Sequence, residues 1–330
     1  MDNEEILQKV VDTTLIGSGG GGILNPEQAN RFIDYMVDQT QLTKEVRFIR
    51  MANPTREIDR INLGTRKVRK ATEGTDDHVN AEPTFDKIVL TTVKVRLDWE
   101  LTTESLEDNL EGEALEDHIA RLMAAQFAND LEDLYISGDV TSGDALLKCL
   151  EGWRKRSLNG AHVVSSPTDG SGNHFLWKGS FNAGIKAMPQ KYMQRRGDLR
   201  FYSSPSPLQD FLNGLTDRST PLGDAVIFGT PGPANQGGGM TNIRPFGVSV
   251  MEVPLQPEAI SGTYSGATGN HGYLDLTFPQ NRIVGVQREI KVYRDFRPKK
   301  DAIEYTAFMR VANQIENLDA WVVVKDVKVA

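Results

Sequence analysis

The chain has 330 residues, 25% of them charged and 39% hydrophobic, with a net charge of −8. This composition excludes a disordered chain, and the lack of any apolar run of bilayer length argues against a helix-spanning membrane protein. The acidic balance argues against a dedicated nucleic-acid binder, and the single cysteine, Cys149, rules out an intrachain disulfide or a multi-cysteine metal site.

The N-terminus, Met1-Asp2-Asn3-Glu4-Glu5, is acidic and lacks the basic-then-apolar order of a secretory signal, which predicts a protein that is soluble and intracellular when made. Ile6, Leu7, Val10 and Val11 allow a short amphipathic helix, and the glycine run Gly17–Gly22 then breaks the chain. A second helix is expected to start with Asn25 as N-cap and Pro26 at its first position, with Phe32, Ile33, Met36 and Val37 on one face.

Residues 56–100 change period. Ile61, Leu63 and Thr65 alternate with polar neighbours, as do Val93, Val95, Leu97 and Trp99. The simplest reading is a long β-hairpin built from these two segments, with a broad polar tip between them. Its charges are sorted. Positions 56–70 carry six bases against Glu57 and Asp59, whereas positions 71–86 carry five acids and no base. A two-stranded arm is marginal alone in water, so it needs a surface to pack on, and the sorted charge suggests docking to another subunit.

The strongest helical pattern follows, with Leu115, Ile119, Leu122, Met123, Phe127, Leu131, Leu134 and Tyr135 at steps of three and four, stopped at Gly138. Glu104 to Asp117 holds seven acids and no base, which suits a helix start facing the macrodipole and reads as a solvated or subunit-facing surface. Residues 151–280 then hold 19 of the 30 glycines and 11 of the 15 prolines, a loop-rich insert. Beyond it, Ile303, Tyr305, Ala307, Met309 and Val311 alternate, and Trp321–Val324 reads as a final buried strand. Residues 282–300 carry seven bases and two acids. The long helix and these last strands should form one α+β unit interrupted by the insert.

Catalytic signals are weak. Gly17-x-Gly19-x-x-Gly22 fits a dinucleotide fingerprint, with Asp34 or Asp38 at the distance of a ribose-binding acid, but the helix start at Asn25-Pro26 comes too late for it. There is no HExxH, no Walker A lysine and no GxSxG elbow. Cys149 lies among Leu146, Leu147 and Leu150 and reads as a small buried residue. No catalytic residue, cofactor or metal site is expected. A nucleotide-dependent oxidoreductase using Gly17–Gly22 remains only as a remote alternative.

The order of these elements resembles the major capsid proteins of tailed bacteriophages, the HK97 fold family. The stretches that carry the likeness are Ala71-Thr72-Glu73-Gly74, Trp99-Glu100-Leu101-Thr102-Thr103-Glu104-Ser105-Leu106-Glu107-Asp108, the helix over Glu113–Gly138, Arg282-Ile283-Val284-Gly285-Val286-Gln287-Arg288, and Asp319-Ala320-Trp321-Val322-Val323. The resemblance implies an α+β fold with an N-arm over 1–55, an extended hairpin (the E-loop) over 56–100, a P-domain with its spine helix over 101–150 and 281–330, and an inserted A-domain over 151–280.

It also implies a function: self-assembly, as pentamers and hexamers, into an icosahedral head around double-stranded DNA. Assembly would take place in the host cytoplasm with a separate scaffolding protein, a portal and, in some members, a decoration protein. An encapsulin-like compartment shell is the alternative on the same fold. The interface residues expected are Arg66, Lys67, Arg69, Lys70, Glu73, Asp76 and Asp77 in the E-loop and Glu104, Glu107, Asp108 and Glu111 at the spine-helix start. Gly229, Gly232, Gly237, Gly238 and Gly239 would form an adaptable axial loop. Some family members join an E-loop lysine to a P-domain asparagine; here Lys67, Lys70 or Lys87 and Asn313 or Asn317 are available by residue type only.

Overall fold

The computed structural model describes residues 22–23, 42–62, 68, 70, 73–74, 83–104, 114–169, 174–216, 244–264 and 267–329. The expected helices within 1–16 and 25–39 lie outside them.

Strand β5 (Val93–Thr102) alternates because Val95 and Leu101 are buried while Lys94, Arg96, Asp98 and Glu100 are exposed. It pairs antiparallel with β12 (Ala302–Ile315), which in turn pairs with β11 (Arg282–Arg297). On the far edge of β11 lie β1 (Gly22–Ile23), antiparallel, and β2 (Arg47–Arg50), parallel. The spine helix α1 (Ala114–Ser137) shares one core with this sheet, to which Phe127, Leu131 and Leu134 of the helix and Val292, Ile303, Ala307 and Val311 of the strands all belong. The expected α+β unit is present for the helix, β11 and β12, but the last strand, β13 (Trp321–Lys328), pairs in the other sheet.

The expected hairpin differs in one strand. Its two arms are β3 (Thr55–Asn62) and β4 (Thr84–Thr91), and residues 93–102 leave it for the main sheet. The switch comes at Thr92, whose N–H and hydroxyl both donate to the Pro54 carbonyl, at 2.9 and 3.0 Å. Period-two alternation is common to both sheets and does not say which partner a strand takes.

A second sheet runs β6 (His162–Ser165), β13 (Trp321–Lys328), β10 (Ala267–Thr277), β7 (Arg200–Ser203), β8 (Ser249–Glu252), with β9 (Ile260–Tyr264) also paired to β10. Around it are the helices α2 (Trp153–Gly160), α3 (Lys178–Ala187), α4 (Gln190–Met193) and α5 (Pro205–Thr216). Phe181 of α3 meets Phe201 and Phe211 edge-on or tilted at 5.0 and 4.8 Å, the centre of the insert's own core.

The insert is not self-contained, because β13 lies between its strands β6 and β10. Trp321 and Val323 face the spine-helix core, and Val322 and Val324 face the insert's core. A strand buried on both faces reads as a continuous apolar run, as Trp321–Val324 does.

The two sheets meet at a buried ion pair. Arg282 begins β11 and Asp275 lies in β10; Arg282 Nη2 stands 3.5 Å from Asp275 Oδ2, and both side chains are almost wholly buried. The Arg282 guanidinium lies 3.8 Å from the Tyr202 ring centre and 4.6 Å from that of Trp321, whose Nε1 donates to Asp275 Oδ1 at 3.2 Å. Trp153 of α2 adds a third ring and donates its Nε1 to the Gln314 carbonyl of β12. The cavity beside this cluster is about 10 Å³, room for at most one water and far short of a small-molecule site.

Burial pushes the Asp275 carboxyl up to about 6, against the opposing pull of Arg282 and Trp321. The folded protein thus holds this proton more tightly than the unfolded chain. The resulting stabilisation is complete below the ordinary carboxylate value of 3.8 and is lost as pH rises through about 6. Urea unfolding between about pH 4 and 7 should therefore show a decline that Asp275→Asn flattens. Parallel profiles for the two proteins would refute this assignment.

Candidate subunit interface

The hairpin's two faces differ. On the inner face, Ile58 packs with Leu90, Met51, Ile283 and Ala312 in a small cluster against the main sheet. Gly285 makes this approach possible, since a Cβ there would stand 2.6 Å from Met51 Sδ and 3.1 Å from Leu90. Arg60 anchors the same side by donating to the Glu316 carbonyl at 3.0 Å, to Asn317 Oδ1 at 3.3 Å and to Asp86 at 3.1 Å. Gln314 Nε2 donates to the Val89 carbonyl of β4.

On the outer face, Ile61 stands opposite Phe85, and Asp59 opposite Lys87. Ile61 is 65% exposed and Phe85 68%, a paired apolar patch that the subunit itself leaves uncovered. Lys87 donates to Glu57 at 2.8 Å, which holds the lysine's pKa above its usual value.

Of the residues expected at the interface, Lys70, Glu73 and Glu104 are described, and all three are exposed. Arg66, Lys67, Arg69, Asp76, Asp77, Glu107, Asp108 and Glu111 lie outside the described residues, as do Gly229, Gly232 and Gly237–Gly239 of the expected axial loop. Asn313 is corrected as an acceptor for a lysine crosslink: it is buried and donates its Nδ2 to the Tyr135 carbonyl of the spine helix. Its place on the inward side of β12 keeps any outside lysine away. Gly22, the last of the glycine run, forms β1 opposite Arg294 at the sheet edge, which gives the dinucleotide reading no support.

Charge on the outer face of the main sheet was not anticipated. Lys94, Arg310 and Arg288 stand directly opposite one another on β5, β12 and β11, and Lys291, Phe308 and Arg96 form the next rank. Farther along the same face, Asp98, Glu100, Glu304 and Asp295 stand in ion pairs with Arg96, Arg297 and Lys300. The basic count over 282–300 was legible, but not which bases become neighbours, because β11 bulges between Val286 and Lys291. Arg282, counted with those bases, is buried.

Among the described residues no three His, Cys, Asp or Glu side chains gather as a metal site, and no helix is long and apolar enough to cross a membrane.

A spine helix crossed on a long-stranded sheet, a projecting hairpin and a second sheet inserted between them are the fold of tailed-phage capsid subunits. The structure superposes on the satellite phage P4 procapsid, solved with its size determination (Sid) protein, with a TM-score of 0.62 at 16% identity, covering 100% of this chain and 99% of that one. It matches the capsid of the native GTA particle at a TM-score of 0.58 and 14% identity over 95% and 96% of the two chains. It also matches Microbacterium phage Oxtober96 at 0.58 and 12% identity over 88% and 91%. No protein-family model matches the sequence. A curated relative, "Putative prophage capsid protein YqbE" of Bacillus subtilis strain 168, is 33% identical over all of this chain and 99% of its own length. The chain belongs to this family of prophage capsid proteins and is a major capsid shell subunit with the HK97-like fold.

Proposed function

We propose that the subunit assembles with copies of itself, as pentamers and hexamers, into an icosahedral head enclosing double-stranded DNA. The observation that carries this reading is the hairpin's uncovered outer face: Ile61 and Phe85 are apolar, paired and mostly exposed, as expected of a surface completed by a neighbour. Arg66, Lys67, Arg69 and Lys70 then bind the acids at the neighbour's spine-helix start, Glu104, Glu107, Asp108 and Glu111. The subunit acts as a building block without catalysis, assembling in the host cytoplasm with a separate scaffolding protein and a portal. Gly229–Gly239 serves as the axial loop.

Changing Arg66, Lys67, Arg69 and Lys70 together to Glu should abolish particles in negative-stain microscopy while circular dichroism still reports folded subunits. Normal particles from this variant would remove the charge-docking claim. Wild-type particles should protect DNA from nuclease; particles filled instead with a cargo protein would indicate a compartment shell.

A further inference from the structure

We infer that the cavity beside Arg282 is a binding site for one monatomic anion of the halide class, chloride, held by the guanidinium that joins the two sheets.

Arg282 is only 3% exposed, yet its Nε and Nη1 are buried without a hydrogen-bond partner among the described residues. A guanidinium is a permanent cation with five donors, so N–H groups left idle away from water are costly. Its one carboxylate within 4 Å among the described residues is Asp275, at 3.5 Å. A well-formed charged hydrogen bond is shorter, about 2.7–2.9 Å. Asp275 also spends its other oxygen on Trp321 Nε1. Rings of Tyr202, Trp321 and Trp153 close in at 3.8, 4.6 and 5.8 Å, which attracts the charge, but ring faces give the idle N–H groups no oxygen to bond.

The cavity reaches this cation. Arg154, Gln256, Tyr273 and Asp275 line it together with Arg282. Its volume of about 10 Å³ admits one occupant of roughly the size of a water and no polyatomic ligand. Two guanidinium groups face one carboxylate across it, and Gln256 Nε2 already donates to the Tyr273 carbonyl at 2.7 Å. A water accepting from Arg282 would have two protons of its own to place in this donor-rich lining. A halide only accepts.

Asp275 competes with the anion for the same cation. The other titratable and charged groups around the site are Arg154 of α2, Tyr202 of β7, Tyr273 of β10, Glu132 of α1 and Glu45 of the 42–46 turn. Burial pushes both tyrosines up, so they stay neutral. Glu45 is paired with Arg200, and Glu132, also pushed up by burial, accepts from Thr43 at 3.3 and 3.4 Å. Asp275, pushed up to about 6, is the lining group whose charge changes between pH 5 and 8. Protonated, it leaves Arg282 without a counter-ion and the anion enters; ionised, it repels the anion. Halide and proton are therefore taken up together, and binding is tighter at pH 5 than at pH 8.

Thermal unfolding of the full chain reads the site, because a ligand that binds only the folded state raises the melting temperature. At pH 5, sodium chloride should raise it saturably by about 2–4 °C above sodium gluconate of equal ionic strength, and sodium bromide should act like chloride. The excess should shrink at pH 8. Asp275→Asn removes the competing charge and should show the full chloride excess at both pH values. Gln256→Glu builds a carboxylate into the lining and should abolish it. Equal curves in chloride and gluconate, the result expected of a buried water alone, overturn the site. A chloride excess that Asp275→Asn leaves with its wild-type pH dependence also overturns it, because the ion then binds elsewhere; this arm decides the matter even if Gln256→Glu does not fold.

Discussion

Arg282→Met should cost about 3–5 kcal/mol of folding stability, the size expected when one partner of a buried ion pair is removed. Domains of this kind are stable by about 5–15 kcal/mol, so the loss is a large part of the total. Asp275 keeps its bond from Trp321 Nε1 but loses the only cation within 4 Å of it among the described residues. Three rings lose their stacking partner at the same time, Tyr202 at 3.8 Å being the closest. The damage should not remain local, because Arg282 belongs to the main sheet and Asp275 to the second.

A double variant separates charge from packing. Asp275→Asn still accepts from Trp321 while removing the stranded negative charge. Arg282→Met with Asp275→Asn should therefore recover at least about 1 kcal/mol relative to Arg282→Met alone, within the range of coupling between touching residues. Equal instability of the single and double variants in urea titrations would mean that packing, rather than the uncompensated carboxylate, sets the cost.

Gly138→Ala should be the next most damaging change, at about 3 kcal/mol, the upper part of the range for overpacking. A Cβ at Gly138 would lie 2.3 Å from the Leu150 carbonyl oxygen, 2.5 Å from that of Leu134 and 3.0 Å from the Gly152 nitrogen. All three are backbone atoms, so no side chain can turn aside. Relief requires the end of the spine helix to move off residues 150–152, which breaks the 2.8 Å bond from the Gly152 N–H to the Gly138 carbonyl. Gly143→Ala, with nothing within 4 Å of its added methyl, is the matched control and should lie within about 0.5 kcal/mol of wild type. Thermal unfolding of the two variants side by side checks the contrast; equal melting temperatures would defeat it.

Gly138 shows how far local reading goes. The end of the apolar pattern and a glycine marked the helix stop, and the helix does end at Ser137. Two of the three atoms that require glycine there, however, belong to the chain twelve to fourteen residues further on, which no local pattern specifies. The final strand is similar. Its apolar run showed that β13 is buried, but not that it completes the insert's sheet, since an apolar run names no partner. Residues 93–102 were legible as a strand and were assigned to the wrong ladder for the same reason.

The sequence by itself determined the periods, the helix and its limit, the loop-rich centre, the sorted charge of the hairpin and, through the order of these elements, the capsid class. These depend on composition and on spacings of two to four residues, where sterics and burial act locally. Only the tertiary structure decided that Arg282 and Asp275 join two sheets and that Lys94, Arg288, Lys291 and Arg310 form one basic surface. Arg282 and Asp275 are close along the chain but lie in different sheets, whereas Lys94 and Arg310 are far from Arg288 and Lys291 and become their neighbours through strand register and a bulge. Register is set by the sum of side-chain packing across the whole ladder, so a charge count along the chain cannot supply it.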